Sequence, residues 1–227
     1  MTSLGLSAEV QAVNDGYGGS EIREESYPTF SRPHSIYDEQ IQGLVQQLFF
    51  QQDPAVVRHA GFAALEQETE TAQICLKVAL ALAETGSHDV GLIDARLQSR
   101  PLHVELEIPA GNRSEASWLI ADRLWLAPRR RWLDDSAQRF RDPSLTRLRN
   151  LTLEFDFSIV CLDPASWLTA KLSQTCHGLV MVLTANKTRR LVAAEMQEQL
   201  RRARVPLLGT VLAERRFPVP ANLYRHL

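Results

Sequence analysis

Five short apolar segments constrain the fold of this chain more than any other feature of its sequence. They are Ala55 to Ala63, Asp89 to Ala95, Phe155 to Leu162, Gly178 to Ala185 and Pro206 to Ala213. Their apolar residues do not alternate with polar ones, which is typical of strands that are buried on both faces. Helical patterns separate the segments, so the strands are expected to be joined by crossovers and to run parallel. The sequence therefore predicts an α/β fold of three layers, with a parallel sheet flanked by helices.

Helical periodicity accounts for most of the chain between these strands. We predict helices at Ser35 to Gln52, Thr69 to Glu84, Pro143 to Leu153, Ala165 to Thr175 and Thr188 to Ala203. Gly86 follows the second of these helices and is predicted to be its C-cap. One further strand is predicted at Arg123 to Ala127, in a region where no other element is assigned.

Composition divides the chain into a tail and one domain. Residues 1 to 34 are rich in Gly, Ser, Glu and Asn, which predicts a flexible N-terminal tail. Residues 35 to 227 are predicted to form a single domain. The net charge of -2 argues against nucleic-acid binding. Because the sequence has neither a secretory leader nor an apolar run of about 18 residues, we expect a cytoplasmic protein that is not inserted in a membrane.

The cysteines Cys75, Cys161 and Cys176 are far apart in the sequence and lie in apolar surroundings. This spacing indicates buried, reduced thiols rather than disulfides. Cys176 is followed by His177, but adjacent residues rarely point at one metal ion, so no metal site is predicted.

The segment from Val56 to Leu82 is predicted to be a strand, a loop and a helix, the order in which many α/β proteins hold a phosphate at a helix N-terminus. Phosphate-binding loops of this kind read G-x-x-x-x-G-K-[ST]. Here the loop has no such glycine and lysine, and instead carries Glu66, Glu68 and Glu70. One carboxylate about 4 Å from a phosphate costs roughly 4 kcal/mol at an effective dielectric constant near 20. The loop therefore argues against triphosphate binding.

Three segments together resemble one protein family. They read LIDARLQSRPLH from Leu92, FDFSIVCLDP from Phe155 and GLVMVLTANKTRR from Gly178. In their order and spacing, the chain resembles the bacterial tyrosine kinases of capsule and exopolysaccharide biosynthesis, within the class of deviant-Walker P-loop ATPases. The resemblance implies a P-loop NTPase-like (Rossmann-like) fold. In intact members it also implies ATP and magnesium as cofactors of a protein-tyrosine kinase.

The motifs that this family uses for nucleotide binding are altered in the chain. The family reads L-I-D-A-D after its second strand, and here Asp94 keeps the first acid while Arg96 replaces the second. Cys161 stands where the family has its Walker B acid. The glycine, lysine and hydroxyl positions of the phosphate loop fall on Glu70, Thr71 and Ala72. The nucleotide-binding positions implied by the resemblance, all in degenerate form, are Glu68, Glu70, Thr71, Ala72, Asp94, Arg96 and Cys161.

An acidic side chain in the first turn of a helix interacts favourably with the helix dipole, by about 0.3–1 kcal/mol. We therefore expect Glu68 or Glu70 to occupy the anion position that ATP occupies in active relatives.

The leading expectation is a catalytically inactive pseudo-kinase or pseudo-ATPase that acts as a binding or regulatory partner in exopolysaccharide biosynthesis. It needs no cofactor and has no catalytic residue. The alternative is an ATPase or tyrosine kinase with an altered site, in which Asp94 and Asp163 serve magnesium or proton transfer and Thr71 supplies a hydroxyl. A third hypothesis is a scaffold that binds through its N-terminal tail.

The resemblance implies two kinds of partner, a protein of the polysaccharide export and kinase machinery or a second copy of the chain. Through such a partner the protein would be peripheral at the inner membrane. Basic residues form the candidate contact surfaces. They are Lys187, Arg189, Arg190, Arg201, Arg202 and Arg204, together with Arg129, Arg130 and Arg131.

Overall fold

The computed structural model describes residues 36–50, 56–66, 70–109, 117–133 and 142–213. The predicted tail, the chain beyond residue 213 and the loop position Glu68 lie outside the described residues.

Within the described residues the chain forms seven strands. They are β1 (His59–Ala64), β2 (Val90–Ala95), β3 (Trp118–Ala121), β4 (Leu124–Ala127), β5 (Phe157–Leu162), β6 (Gly178–Thr184) and β7 (Leu207–Ala213). The α-helices of the same part of the chain are α1 (Ile36–Phe49), α2 (Thr71–Glu84), α3 (Leu102–Glu105), α4 (Asp142–Thr152), α5 (Trp167–Leu172) and α6 (Arg190–Arg202). All five apolar segments are strands, although β1 and β5 begin later than predicted, at His59 and Phe157.

The strands form one sheet in the order β3-β4-β2-β5-β1-β6-β7. The neighbours from β4 to β7 are parallel, as predicted. The predicted parallel sheet carries one antiparallel pair at its edge, where β3 pairs with β4. A two-residue turn joins these strands, and Arg123 in the turn has a φ of 55°. So short a connection can only reverse the chain direction.

Helices cover both faces of the sheet. On one face α1 and α2 pack on strand residues such as Phe62 and Leu92. On the other face α4, α5 and α6 pack on residues that include Ile93 and Val160. Neighbours in one strand, such as Leu92 and Ile93, point to opposite faces, and both faces are apolar. This explains why the strands do not alternate, and it confirms the three-layer arrangement.

Parallel strands bring the sequence-predicted site residues to one edge of the sheet. We call the side where β1, β2, β5 and β6 end the carboxyl edge, and the side where they begin the amino edge. Asp94 and Arg96 lie at the end of β2, Asp163 follows β5, and Thr71 begins the helix after β1. Ligands of open α/β sheets bind at this edge.

Two further observations concern the helices. Thr85, not Gly86, is the C-cap of α2, and its hydroxyl donates to the Leu82 carbonyl at 2.7 Å. Gly86 has no positive φ, so the prediction of a glycine C-cap is wrong. None of the helices in the described ranges combines the length and the apolar character needed to cross a bilayer.

Candidate functional site

A cavity of about 360 Å³ opens at the carboxyl edge, beside the first residues of α2. Thr71, Ala72 and Arg96 line it, so the structure brings together three of the predicted nucleotide-binding positions. The other lining residues are Glu66, Gln98, Ser99, Arg100, Glu105, Leu162 and Pro164.

Asp94 is buried next to this cavity, with 1% of its surface exposed. One carboxylate oxygen, Oδ2, accepts a hydrogen bond from the Leu102 backbone N–H at 2.8 Å. The other, Oδ1, accepts from the backbone N–H of Arg96 at 3.2 Å and from its Nε at 3.4 Å. Burial raises the pKa of Asp94, and the Leu102 N–H and the Arg96 charge oppose that rise. Both oxygens are therefore engaged by the chain itself.

Arg96 is almost as buried, with 4% of its surface exposed. Besides Asp94, its guanidinium contacts Glu105 in α3, with Nη1 donating to Oε2 at 2.6 Å. Its Nη2 donates to the carbonyl of Arg100 at 2.8 Å. The three charged side chains Asp94, Arg96 and Glu105 form a network that we call the Arg96 cluster. It fixes the segment between β2 and α3 in place.

Asp163 holds the same segment from the side of β5. Its carboxylate accepts hydrogen bonds from the backbone N–H groups of Leu97, Gln98 and Ser99, the last two at 2.9 and 3.1 Å. It also accepts from the Ser99 hydroxyl at 2.6 Å. Four donors therefore surround the carboxylate. Asp163 acts as an anchor for the loop after β2.

The N-terminus of α2 differs from the expectation for Glu70. Glu70 is exposed and directly precedes the helix, but within the described residues its side chain makes no capping hydrogen bond. The prediction that an acid fills the anion position is therefore wrong for Glu70, and Glu68 lies outside the described residues. Glu66 instead accepts a hydrogen bond from the Thr188 hydroxyl at 2.7 Å. This contact joins the loop after β1 to the loop after β6.

Cys161 does not face the cavity. It lies in the middle layer, paired in register with Asp94 of β2 and Phe62 of β1, and it is fully buried. Burial, together with a hydrogen bond to Cys161, raises the pKa of Cys75 well above its ordinary value. Cys75, Cys161 and the half-buried Cys176 are free thiols, as predicted. The described residues contain no group of three metal-ligand side chains.

Sequence reasoning missed several residues of the cavity. Ser99, Arg100 and Glu105 were not predicted, although each lines it or contacts Arg96. The helix α3 that carries Glu105 has only four residues, too few to show a helical period. One sequence feature could have indicated Glu105. Arg96 follows a buried strand, and a buried guanidinium needs an acidic partner nearby.

The predicted basic surfaces differ in how many of their side chains already form hydrogen bonds or ion pairs within the chain. Arg129 donates to the Arg96 carbonyl at 3.1 Å, and Arg131 pairs with Glu154 at 2.8 Å. Arg201 and Arg202 both pair with Glu198. At the other end of α6, the exposed residues Lys187, Arg189 and Arg190 lie beside Leu191, which is 76% exposed.

Comparison with solved structures gives the same architecture. The chimerical protein CapA2B2 aligns with a TM-score of 0.65 and 17% identity, over 80% of this chain and 86% of that chain. The BceF tyrosine kinase domain aligns with a TM-score of 0.61 and 21% identity, over 80% and 78% of the two chains. The chain has the fold of bacterial tyrosine kinase domains. A ParA family ATPase from Chlorobium tepidum TLS aligns with a TM-score of 0.55 and 14% identity, over 69% and 74%.

The predicted P-loop NTPase-like fold is therefore confirmed. No protein-family model matches the chain, and no curated protein matches it by sequence.

Proposed function

We propose that this chain is a catalytically inactive relative of the polysaccharide-associated tyrosine kinases, and that it works as a binding or regulatory protein. The observation that carries the proposal is that hydrogen bonds within the chain already engage both candidate acids. Asp94 accepts from Leu102 and Arg96, and Asp163 accepts from four donors in residues 97–99. A magnesium ion needs carboxylate oxygens that face a phosphate. These oxygens hold the loop after β2 instead.

Charge and shape around the cavity support the same proposal. Glu66 and Glu105 line the cavity. The guanidinium of Arg96 is already ion-paired with Asp94 and Glu105, so its charge is not available to a phosphate. At the family's Walker B position, Cys161 is buried in the core and does not line the cavity. Phosphoryl transfer depends on a metal, a lysine and a glycine-rich loop in fixed positions. At two of the family's acidic positions, this chain instead has Arg96, which is ion-paired, and Cys161, which is buried.

One observation favours the alternative of an altered nucleotide site. The first turn of α2 receives no side-chain cap from Glu70, and Arg96 and Arg100 line the same cavity. Uncapped N–H groups and nearby guanidinium groups attract anions. The alternative therefore requires the Arg96 cluster to rearrange around a phosphate.

Isothermal titration with ATP, ADP and GTP, with and without magnesium, distinguishes the two. The inactive relative is expected to give no saturable, magnesium-dependent heat with any nucleotide. Saturable binding that requires magnesium and disappears in Asp94→Asn would contradict the proposal and support the alternative. Arg189→Gln, on the surface of α6, is the matched control, because it also removes one charge but leaves the cavity intact.

The start of α6 is the surface that we propose for a protein partner. Its first turn carries no acid, and Arg189 and Arg190 stand at its positive dipole end. Each cation there is unfavourable for the helix by about 0.3–1 kcal/mol. Beside them Leu191 is exposed, so an acidic segment with an apolar residue fits this surface.

Light scattering after size-exclusion chromatography, and co-purification with the polysaccharide kinases of the same cell, test this surface. Arg189→Glu/Arg190→Glu is expected to abolish association with the kinase or with a second copy of the chain. Arg201→Glu/Arg202→Glu makes the same charge change at the far end of α6 and should leave that association unchanged. Equal effects of the two double variants would contradict the assignment.

A further inference from the structure

A second cavity, of about 670 Å³, lies at the amino edge, on the opposite side of the sheet from the Arg96 cluster. The residues before β1, β5 and β6 form part of its wall, and the end of α4 closes it. Cavities of roughly 300–1,000 Å³ hold small molecules. This volume suits a small molecule, and the side chains of the wall indicate which class of molecule fits.

Two stacked histidines form one wall of this cavity. The ring centroids of His59 and His177 are 5.2 Å apart, with 28° between the ring planes. The backbone N–H of His59 donates to His177 Nδ1 at 3.1 Å. Because Nδ1 of His177 is an acceptor, the neutral ring carries its proton on Nε2 and is a donor there. His177 is exposed, so this donor is accessible.

His59 is the buried member of the pair. Only 6% of its surface is exposed, and its Nδ1 finds no hydrogen-bond partner in the described part of the chain. Burial, with smaller effects of His177 and Arg58, lowers the pKa of His59 to about 4. The ring is therefore neutral at pH 7.

Two guanidinium groups add to the donors. Arg58 and Arg149 are exposed and line the cavity, and among the described residues their side chains make no hydrogen bond or ion pair. Arg58 lies close enough to His59 to lower its pKa. An unpaired guanidinium at a cavity wall offers several N–H donors to one oxyanion.

Most acids of this cavity are already engaged. Glu154 accepts two hydrogen bonds from Arg131, at 2.8 and 3.0 Å. Asp156 accepts from the Asp89 backbone N–H at 3.0 Å, and His88 lies 3.7 Å from the same oxygen. Asp89 also lines the cavity, and its carboxylate makes no hydrogen bond or ion pair within the described residues. Within the described residues, Arg58 and Arg149 therefore keep their N–H donors available to a ligand, in a wall that they share with the carboxylates of Asp89 and Asp156.

An apolar surface borders these donors. Leu153, at the end of α4, is 63% exposed, and the half-buried Phe155 lies next to it in the wall. The cavity is also larger than an inorganic phosphate requires.

We propose that the amino-edge cavity binds a small organic phosphate. Arg58 and Arg149 hold its phosphate group, His177 Nε2 adds a hydrogen bond, and Leu153 contacts its organic part. The proposal does not depend on the function of the carboxyl edge, because no residue of the Arg96 cluster lines this cavity.

Phenyl phosphate and inorganic phosphate are the probes, titrated by calorimetry and by the imidazole ¹⁵N shifts of His59 and His177. Phenyl phosphate is expected to bind saturably and to shift both histidines. Arg58→Gln and Arg149→Gln should each weaken binding about tenfold or more, since a hydrogen bond to a charged group is lost. Arg201→Gln, at an exposed position that does not line this cavity, should bind as the wild type does.

Leu153→Ser separates the two parts of the site. It should weaken phenyl phosphate and leave inorganic phosphate unchanged. All four positions are exposed, so the variants are expected to fold, and far-UV circular dichroism checks this. Absence of saturable binding, unchanged affinity in both arginine variants, or tighter binding of benzoate than of phenyl phosphate would each overturn the proposal.

Discussion

Arg96 is the residue on which the carboxyl edge most depends. Its guanidinium lies between Asp94 and Glu105 and reaches the Arg100 carbonyl, with 4% of its surface exposed. A buried ion pair adds little net stability, because removing two charges from water is costly. Removal of one partner is different, since the other charge is left buried without compensation.

We expect Arg96→Met to lower the free energy of unfolding by about 3–5 kcal/mol, because Asp94 and Glu105 lose their cation. Urea denaturation at pH 7 measures the change. Arg100→Gln is the matched control: that side chain is exposed and should change stability by less than about 0.5 kcal/mol. Adding Asp94→Asn to Arg96→Met should recover part of the loss, and a single-variant loss below about 1 kcal/mol would contradict the cluster's role.

His59 should make stability depend on pH. Burial is the main cause that lowers its pKa from 6.5 to about 4, so between these values the unfolded chain binds a proton that the folded chain does not. The contribution of His59 to the free energy of unfolding is therefore fully present above pH 6.5 and is lost as the pH falls toward 4. The loss between pH 7 and pH 5 is roughly 2 kcal/mol.

Urea titrations at pH 7 and pH 5 test this by comparing the wild type with His59→Gln, in which that part of the loss should disappear. His88→Gln is the control, because it removes a half-exposed imidazole and keeps the buried ring of His59. Identical pH slopes in the wild type and His59→Gln would refute the expectation.

At the residue scale the sequence predicted positions better than contacts. Asp94 and Arg96 were placed correctly because both stand at the end of one apolar run. The partners of Asp163 lie up to 66 residues earlier in the chain, and no local pattern links them. Contacts of this length depend on how strands are ordered in the sheet, which periodicity does not specify.

Strand β2 shows how closely the elements pack. A Cβ on Gly91 would lie 2.3 Å from the ring of Phe155, so this close approach requires a glycine. The sequence indicated β2 from its apolar run but gave no sign of this contact. It also gave no sign of β3, because a four-residue strand in an antiparallel hairpin carries too short a pattern.

Gly91→Ala should therefore destabilise the protein by about 1–3 kcal/mol through overpacking. Gly43→Ala is the matched change in the middle of α1, where nothing lies within 4 Å of the new Cβ. It should stabilise the helix by up to about 1 kcal/mol. Thermal unfolding measures both changes. Gly91→Ala/Phe155→Leu should recover stability, and a neutral effect of Gly91→Ala alone would show that the strands can separate there.

On the scale of the whole molecule, α1 belongs to the domain and not to the tail. Its residues Ile41, Val45 and Phe49 are buried, and they complete the core that α2 forms on the sheet. The sequence predicted this helix and the three layers because both follow from apolar periodicity. Which helices cover which face followed only from the strand order, with β5 between β2 and β1.

Two truncations test this division. Removal of residues 1–34 should leave the melting temperature unchanged, whereas removal of residues 1–50 should lower it strongly. Burial of each large apolar side chain contributes about 1.5–3 kcal/mol, so the loss of Ile41, Val45 and Phe49 uncovers much of α2. Calorimetry of both products measures the difference. Equal melting temperatures would show that α1 is not part of the cooperative unit.

The Arg96 cluster also limits how this cavity could acquire a metal site through successive substitutions. Arg96→Asp would place a third carboxylate beside Asp94 and Glu105 with no cation among them. Cys161→Asp would bury an acid against the Cys75 thiol inside the sheet. Each change alone destabilises the fold before any ion can repay the loss. If the proposed function is right, a metal site at this edge would therefore need several replacements at once.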